Sequence, residues 1–260
     1  MLLKILYRDE HLIAIDKPSG WLVHRSDIDR HEKRIVMQAL RDQLGGQHVH
    51  PVHRLDKGTS GVLLLAFSPA VTRLLSQQFE QGTVCKTYHA IVRGWPAESG
   101  TIDHALVRDH DDYGRTITNK EAQTALTQFR RLATAELAVT VDRYPSSRYA
   151  LVELTPHSGR RHQLRRHMKH IAHPIIGDAT HGKGRHNRLF QELFGCHRLL
   201  LACTRLQLVH PITGVEISIS ASIGDQFANV VAALGWTEFA QQLLADDARA
   251  LLYPCVDTQQ

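Results

Sequence analysis

Apolar residues alternate or cluster along the chain in patterns that predict more strands than helices. Two short apolar stretches on either side of the polar residues 8–10 predict a strand pair that ends in the Pro-Ser-Gly turn at 18–20. The unbroken apolar run of residues 60–67 predicts a strand buried on both faces, whereas residues 85–94 alternate as a half-buried strand does. Three further strands are predicted within residues 125–156 and a strand pair within residues 198–222.

Helical spacing of apolar residues, together with capping residues, predicts the helices. In the helix after the apolar strand, Ser68 is the cap, Pro69 takes the first helical position and Gly82 follows the end. The basic segment SGRRHQLRRHMKHIAH predicts a helix that begins near Ser158 and ends before Pro174. Further helices are predicted within residues 33–46, 224–236 and 237–252.

The order of these elements predicts a single α+β domain over residues 1–260. Many predicted strands are neighbours in sequence, which favours a mixed, largely antiparallel sheet flanked by helices over a doubly wound parallel sheet. Residues 94–122 are polar and rich in Gly, Asp and His, so we expect a peripheral excursion there. Residues 224–260 are expected to form a C-terminal helical extension.

Composition and charge exclude several classes of protein. The chain has a formal net charge of +5, and no apolar run approaches the roughly 18 residues that a membrane span needs. Lys4 and Arg8 interrupt the apolar N-terminus, which is atypical of a secretion signal. The four cysteines form no Cys-x-x-Cys pair, so neither a zinc site nor a redox motif is indicated. We expect a cytoplasmic protein whose basic balance is compatible with a nucleic-acid partner.

Asp56 is the lone carboxylate of the segment HRLDKGTSG, residues 53–61. An aspartate before a Gly/Thr/Ser turn commonly accepts backbone hydrogen bonds, which leaves a purely structural role open. The segment is not a phosphate-binding P-loop, because Lys57 precedes Gly58 instead of ending a glycine-rich loop. The chain holds no second copy of the segment, so the shared-proton dyad of aspartic proteases is not indicated.

A single carboxylate that acts as a nucleophile fits this segment. Burial in a cleft disfavours the ionised form of a carboxylate and a nearby arginine favours it, so such a group needs its own cation. Arg54 in the same segment is one candidate. The others lie in the basic segment, because no Asp or Glu occurs between Leu154 and Gly177. The cations crowded there are Arg160, Arg161, Arg165, Arg166 and Lys169.

The chain resembles the RluA-type family of pseudouridine synthases over nearly its whole length. The matching stretches, in the family's order, are DKPSG (16–20), HRLDKGTSG (53–61), KTYHAIVRG (86–94), SGRRHQLRRHM (158–168), HPIIGD (173–178) and LLACTRLQLVHPITG (200–214). The pair HRLD..TSG and GR.HQLR.H is highly specific. The resemblance implies the pseudouridine synthase fold with a central catalytic cleft. The chain departs from the family at Ala202-Cys203, where a His-Ala pair is common.

The resemblance also implies roles for individual residues. Asp56 matches the family's catalytic aspartate, and Arg165 matches the basic residue that pairs with it. Tyr88 matches the tyrosine that stacks on the target base and is a candidate for moving the C5 proton. Arg54 matches an arginine that helps to displace the base from its stack. Leu201 or a neighbour matches the apolar packing position of the late strand.

The basic segment is expected to contact RNA phosphates, because it has no carboxylate with which to pair locally. The alternative is a solvated helix face. Within the segment, Arg165 would point towards Asp56 while Arg161 and Lys169 face RNA. For Lys17 the alternative is that it flanks the Pro-Ser-Gly turn. The predicted RNA-binding residues are Arg54, Arg160, Arg161, Arg166, Lys169 and Lys17.

The implied reaction converts uridine to pseudouridine by breaking the bond from N1 to the sugar and remaking it at C5. Nothing is oxidised or hydrolysed, so we expect neither a metal nor a diffusible cofactor. The aspartate can attack C6 of the base, attack C1′ of the sugar or assist elimination, and these routes stay open. The histidines of the basic segment offer an alternative metal site, but neither carboxylates nor thiols accompany them.

The expected substrate is RNA, specifically tRNA. Ribosomal RNA relatives often carry an additional N-terminal RNA-binding domain, and DKPSG begins at residue 16, so no such S4-like domain is expected. The resemblance suggests uridine 65, in the acceptor and T-stem region, as the target. The alternatives are a ribosomal RNA synthase of the same family and a non-catalytic RNA-binding protein. The joint presence of Asp56, Tyr88 and Arg165 disfavours the second alternative. We expect a monomer without a membrane partner.

Overall fold

The computed structural model describes residues 2–25, 31–107, 121–239 and 241. The strands are β1 (Lys4–Arg8), β2 (Leu12–Lys17), β3 (His50–Pro51), β4 (Ser60–Ala66), β5 (Cys85–Arg93), β6 (Ser99–Asp103), β7 (Leu106–Val107), β8 (Ala122–Gln123), β9 (Leu126–Leu137), β10 (Ser147–Pro156), β11 (Leu201–Val209) and β12 (Glu216–Ser220). The helices are α1 (Val36–Gln43), α2 (Pro69–Gln81), α3 (Gln163–His170), α4 (Gly184–Phe194) and α5 (Asp225–Ala233).

A ten-stranded sheet organises the fold. Its order is β1-β2-β4-β11-β5-β10-β9-β6, with β3 paired to β4 and β12 paired to β11, while β7 and β8 form a separate two-stranded sheet. Among the strand pairs that the structure describes, only β4 and β11 run parallel. This arrangement confirms the predicted α+β fold with a mixed, largely antiparallel sheet.

Local sequence explains the elements that approach the site. Every residue of β4 is buried, as its unbroken apolar run predicts. The ends of α2 are also as predicted, because Ser68 Oγ accepts a hydrogen bond from Val71 N and Gly82 follows the helix at φ +74°. β5 is more deeply buried than its alternation predicts. Residues 88–92 are buried on both faces, because Tyr88, Ala90 and Val92 belong to one apolar core and Ile91 belongs to the other.

Apolar cores cover both faces of the sheet. Along β10, Ala150, Val152 and Leu154 belong to one core, while Tyr149 and Leu151 belong to the other. The first core includes apolar residues of α1, α2 and α3, and the second includes those of α4 and α5. The helix that carries the basic segment therefore packs on the same face as α2.

One prediction for the middle of the chain is wrong. Residues 125–156 form two long strands instead of three, because the segment between β9 and β10 contains only an isolated bridge from Val141 to Tyr144. Residues 94–122 include β6, which pairs with β9 as the edge strand of the main sheet. Residues 108–120 lie outside the described residues.

The helix boundaries also differ from prediction. α3 begins at Gln163 instead of near Ser158, because His162 adopts a left-handed conformation with φ 54° and the preceding residues form a turn. The sequence analysis missed α4, although Leu189 and Leu193, like Phe190 and Phe194, recur at helical spacing and Gly195 follows the helix. α5 confirms the first helix of the C-terminal extension, and most of the predicted helix over residues 237–252 lies outside the described residues. No helix in the described part of the chain has the length and apolarity that crossing a membrane requires.

Candidate active site

Asp56 lies on the loop between β3 and β4 and lines a cavity of about 660 Å³. Its side chain is 18% exposed. The turn after β2 holds this loop in place, because Ser19 Oγ donates to Gly58 O at 2.6 Å and Gly20 N donates to Lys57 O at 2.7 Å. The backbone that carries the carboxylate is therefore fixed by the DKPSG segment.

Lys17 holds the same loop from inside the protein. The residue is fully buried, and its Nζ donates to the carbonyl oxygens of Pro18 at 3.0 Å, Lys57 at 3.2 Å and Thr59 at 2.7 Å. Burial lowers the pKa of Lys17 to about 7, and the negative charge of Asp56 opposes that shift. The prediction that Lys17 binds RNA is wrong, because backbone carbonyls enclose its ammonium group and a phosphate cannot reach it.

Arg165 of α3 reaches Asp56 across 109 positions of the chain, as predicted. Its Nη1 donates to Asp56 Oδ2 at 3.0 Å, while its Nε and Nη2 donate to Asp178 Oδ2 and Oδ1 at 2.7 and 2.8 Å. Burial disfavours the guanidinium charge, but the hydrogen bonds to Asp178 and the two carboxylate charges outweigh it and raise the pKa of Arg165. The charged guanidinium thus connects Asp56 to a second carboxylate.

Asp178 is a site residue that the sequence analysis missed. Its side chain is fully buried, and its Oδ1 also accepts hydrogen bonds from the backbone N–H groups of Thr180 at 2.9 Å and His181 at 2.8 Å. Although burial opposes its charge, the hydrogen bond from Arg165 lowers the pKa of Asp178. The sequence did contain a signal for this residue. Asp178 ends the matching stretch HPIIGD, and it is the first acidic residue after the basic segment.

His162 faces the other oxygen of Asp56. Its Nε2 lies 3.9 Å from Asp56 Oδ1, and its Nδ1 is hydrogen bonded to His181 Nε2 at 3.0 Å. Burial outweighs the charge of Asp56 and lowers the pKa of His162 to about 4, so the ring is neutral at neutral pH. One oxygen of Asp56 is therefore bound by Arg165, and the other faces a neutral imidazole.

Tyr88 lies on β5 and lines the same cavity as Asp56. It pairs in register with Cys203 of β11 and is 8% exposed. Burial, together with the neighbouring Cys203, raises the pKa of Tyr88 well above its usual value, so the phenol stays protonated. Leu201 of β11 and Phe79 of α2 also line the cavity. The carboxylate thus has aromatic and apolar surfaces beside it.

Apart from Lys17, four of the cations predicted to bind RNA line the cavity and one lies outside it. Arg160 Nε donates to Thr124 O at 3.1 Å and Arg166 Nη1 donates to Val107 O at 2.8 Å, so both contact the segments of the two-stranded sheet. Lys169 is exposed and lies outside the cavity wall. The residues of the predicted set that line the cavity are Arg54, Arg160, Arg161 and Arg166.

The histidines of the basic segment make structural contacts. His167 Nδ1 is hydrogen bonded to Thr127 Oγ1 at 2.9 Å and its Nε2 to His104 O at 3.0 Å, while His170 stacks on the ring of His104 at 3.8 Å. Within the described ranges, no group of three or more His, Cys, Asp and Glu side chains is placed to hold a metal ion. That the reaction needs no metal or cofactor stays a prediction.

This arrangement suits covalent or acid–base chemistry on an aromatic substrate. A carboxylate whose Oδ2 is bound by an arginine can act as a nucleophile or as a base. The adjacent ring of Tyr88 offers a face on which a planar base can stack. The cations of the cavity wall favour a substrate that carries negative charge.

Comparisons with known proteins identify one family. The family model described as RNA pseudouridylate synthase matches residues 11–170. The chain is 54% identical over 237 residues to tRNA pseudouridine synthase C of Pectobacterium carotovorum subsp. carotovorum, which covers 90% of this chain and 63% of that protein. It is 50% identical over 250 residues to the protein of the same name from Salmonella typhi, and this alignment covers 95% of this chain and 94% of that protein. The chain thus spans less than two thirds of the first relative and nearly all of the second.

Solved structures are similar over most of both chains. The structure of human RNA pseudouridylate synthase domain containing 4 matches with a TM-score of 0.68 and 26% identity, covering 89% of this chain and 93% of that one. The structure of human RNA pseudouridylate synthase domain containing 1 matches with a TM-score of 0.66 and 25% identity. This match covers 94% of this chain and 95% of that one. The similarity of fold therefore includes the sheet and the helices that carry the site.

Proposed function

Because this chain belongs to the RNA pseudouridylate synthase family, we propose that it is an isomerase that converts one uridine of tRNA to pseudouridine. The relatives named tRNA pseudouridine synthase C support tRNA as the substrate. The observation that carries the proposal is the ion pair between Asp56 Oδ2 and Arg165 Nη1, at 3.0 Å, in a cavity that Tyr88 also lines.

In the proposed reaction the target uridine leaves its stack and enters the cavity, at a cost of a few kcal/mol. Tyr88 stacks on the base and recovers about 1–3 kcal/mol, while Leu201 packs against it from β11. The N1–C1′ bond breaks and the C5–C1′ bond forms. The proton on C5 leaves and N1 gains one, so the reaction balances without an oxidant, a reductant or water.

Asp56 is the reacting group in this proposal, and it acts through Oδ1, because Oδ2 is bound by Arg165. Attack at C6, attack at C1′ and assisted elimination all begin from the carboxylate that Arg165 binds. Asp178 holds two other nitrogens of the guanidinium and so orients it. Tyr88 serves as a stacking surface and hydrogen-bond donor, since its phenolate is scarce at neutral pH.

RNA binding is assigned to the cations around the cavity. Arg54 lies beside Asp56 and assists displacement of the base, while Lys169 extends the basic surface beyond the cavity. Phosphate neutralisation by such residues supplies much of the affinity for RNA. The remaining cations assigned to phosphates are Arg160, Arg161 and Arg166. We also propose that the target is uridine 65 and that the protein acts as a monomer in the cytoplasm.

Pseudouridine mapping in total RNA from cells that lack this protein tests the proposal. We expect loss of one tRNA site, which the wild-type copy restores and an Asp56→Asn copy does not. Asp103→Asn is the matched control, because Asp103 is an exposed residue of β6, and this variant should restore the site. Loss of a ribosomal site would favour the ribosomal alternative. No lost site in any RNA would favour the non-catalytic RNA-binding protein.

A further inference from the structure

The cleft continues past Asp56 into a second cavity. We name the cavity of about 660 Å³ that holds Tyr88 the base lobe, and the adjoining cavity of about 800 Å³ the flanking lobe. Each lies within the size range of pockets that bind ligands in proteins, about 300–1,000 Å³. Asp56 therefore stands between two spaces. The residues that line both lobes are Arg54, Leu55, Asp56, Arg161, His162 and Arg165.

The two lobes differ in chemistry. Phe79, Tyr88 and Leu201 give the base lobe apolar and aromatic surfaces. Among the residues that the structure describes, no Phe, Tyr or Trp lines the flanking lobe. Its wall combines aliphatic side chains, such as Leu22, Val23 and Leu199, with glycine backbone and polar or cationic side chains. Examples of these are Gly20, His24, Arg34, Thr180, His197 and Gln226. Such a wall suits the polar sugar-phosphate chain and the edges of a base.

We propose that the flanking lobe receives a nucleotide that adjoins the target uridine, an inference that rests on the proposed function. A uridine in the base lobe remains linked through its phosphates to both neighbours, and each of the open routes brings the nucleoside against Asp56. Because Asp56 separates the lobes, the strand that leaves the sugar passes Arg54 and Arg161, which line both. Arginines at that passage neutralise a phosphate, and the next nucleotide lies beyond them.

The rim of the flanking lobe provides groups that recognise a base. His24, His197 and Gln226 are exposed there. Imidazole rings stack on unpaired bases, and an amide can hydrogen bond to their edges. Arg34 and Lys57, which also line the lobe, both contact Glu32, at 3.0 and 3.1 Å. The carboxylate of Glu32 neutralises part of the positive charge at the rim of this lobe. The lobe is therefore suited to a nucleotide rather than to a bare phosphate.

Filling the flanking lobe tests the proposal. Ala179 lines the lobe and is exposed, so Ala179→Phe places a ring in it at little cost to packing. Gln226→Trp fills the lobe from α5 instead. Ala70→Phe, at an exposed position of α2 outside both lobes, is the matched control. The substrates are a hairpin that contains the target uridine and two versions with an abasic 5′ or 3′ neighbour.

For the wild type, we expect one abasic neighbour to raise KM about tenfold, as loss of a stacked base does, with kcat within about twofold. Ala179→Phe and Gln226→Trp should raise KM for the intact hairpin by a similar factor and should be insensitive to that abasic change. Ala70→Phe should behave as the wild type. Equal wild-type KM for all three hairpins, or unchanged KM in both lobe-filling variants, would overturn the inference.

Equilibrium binding of the same hairpins separates this inference from the proposed function. If the wild type forms no pseudouridine in any hairpin, the proposed function fails. An affinity difference between intact and abasic hairpins would then still support an occupied flanking lobe, and equal affinities would contradict it. Thermal unfolding of each variant reveals whether it folds, and the wild-type abasic comparison decides the matter if a variant does not.

Discussion

The charged residues around Asp56 belong to two regions that differ in burial. The supporting region comprises Lys17, Arg165 and Asp178, which are buried and hydrogen bonded to protein groups. The rim region surrounds the cavity and is half-buried or exposed. Its members are Arg160, Arg161, Arg166 and Lys169. Positive charge in the sequence therefore has two separate uses. The buried charges hold the carboxylate of Asp56 in position, and the half-buried or exposed cations are the ones that we propose contact phosphates.

Neighbouring arginines of α3 allow the strongest test of this difference. Arg165→Met removes the cation that both carboxylates share, so we expect kcat to fall on the order of 10²–10³-fold, with a much smaller effect on RNA affinity. Arg166→Met removes a rim residue, so KM should rise while kcat stays within about twofold. Steady-state kinetics and RNA binding measure both. Equal losses of kcat and affinity in Arg165→Met would assign that residue to the rim.

Asp178→Asn tests whether Arg165 needs the second carboxylate of the supporting region to hold its position beside Asp56. The amide cannot accept from both Arg165 nitrogens, so we expect the free energy of unfolding to fall by about 1–3 kcal/mol and kcat by about tenfold. KM should change little, because Asp178 is fully buried. Urea unfolding and steady-state kinetics measure these changes, with Asp103→Asn as the exposed control. A variant with native stability and kcat would show that Arg165 needs no second carboxylate.

Substitutions in the rim region should alter salt dependence rather than catalysis. Arg161→Gln and Lys169→Gln should each reduce the slope of log Kd against log salt by about 1, with kcat unchanged. Arg73→Gln, an exposed residue of α2 that lines neither lobe, is the control. Filter binding of tRNA at several salt concentrations measures the slope. An unchanged slope for Lys169→Gln would confine the RNA contact to the cavity wall.

The last test concerns His89, a buried histidine that belongs to neither region. Its substitution should have the smallest effect at neutral pH. Burial, assisted by the charges of Arg205 and Arg130, lowers its pKa to about 3, although Glu153 lies 3.9 Å from its Nε2. An unfolded histidine titrates near pKa ~6.5. Between these values the unfolded state binds the extra proton, so stability rises with pH across this range and is level above it.

The measurement for His89 is urea unfolding at several pH values from 4 to 7. His89→Gln should reduce the slope of stability against pH by up to about 1.4 kcal/mol per pH unit. His48→Gln, at an exposed position, should leave the slope unchanged. Identical slopes in the wild type and His89→Gln would mean that other groups account for the acid sensitivity.

Prediction from sequence succeeded where the information was local. The caps of α2 and the apolar run of β4 each lie within a few neighbouring residues, and both elements have the expected form. α3 began later than expected, because a left-handed residue, His162, precedes it and helical periodicity does not detect such a residue. The edge position of β6 was missed, since pairing with β9 is not evident from a polar segment alone.

For the site, the sequence by itself determined the family and singled out Asp56, Tyr88 and Arg165 as candidates, because these residues lie in specific short motifs. Only the tertiary structure decided that Lys17 is enclosed, that Asp178 shares the guanidinium, and that Asp56 separates two lobes. The physical reason is sequence distance. Burial and charge pairing depend on segments as far apart as the 109 positions between Asp56 and Arg165, and local patterns do not report which segments meet.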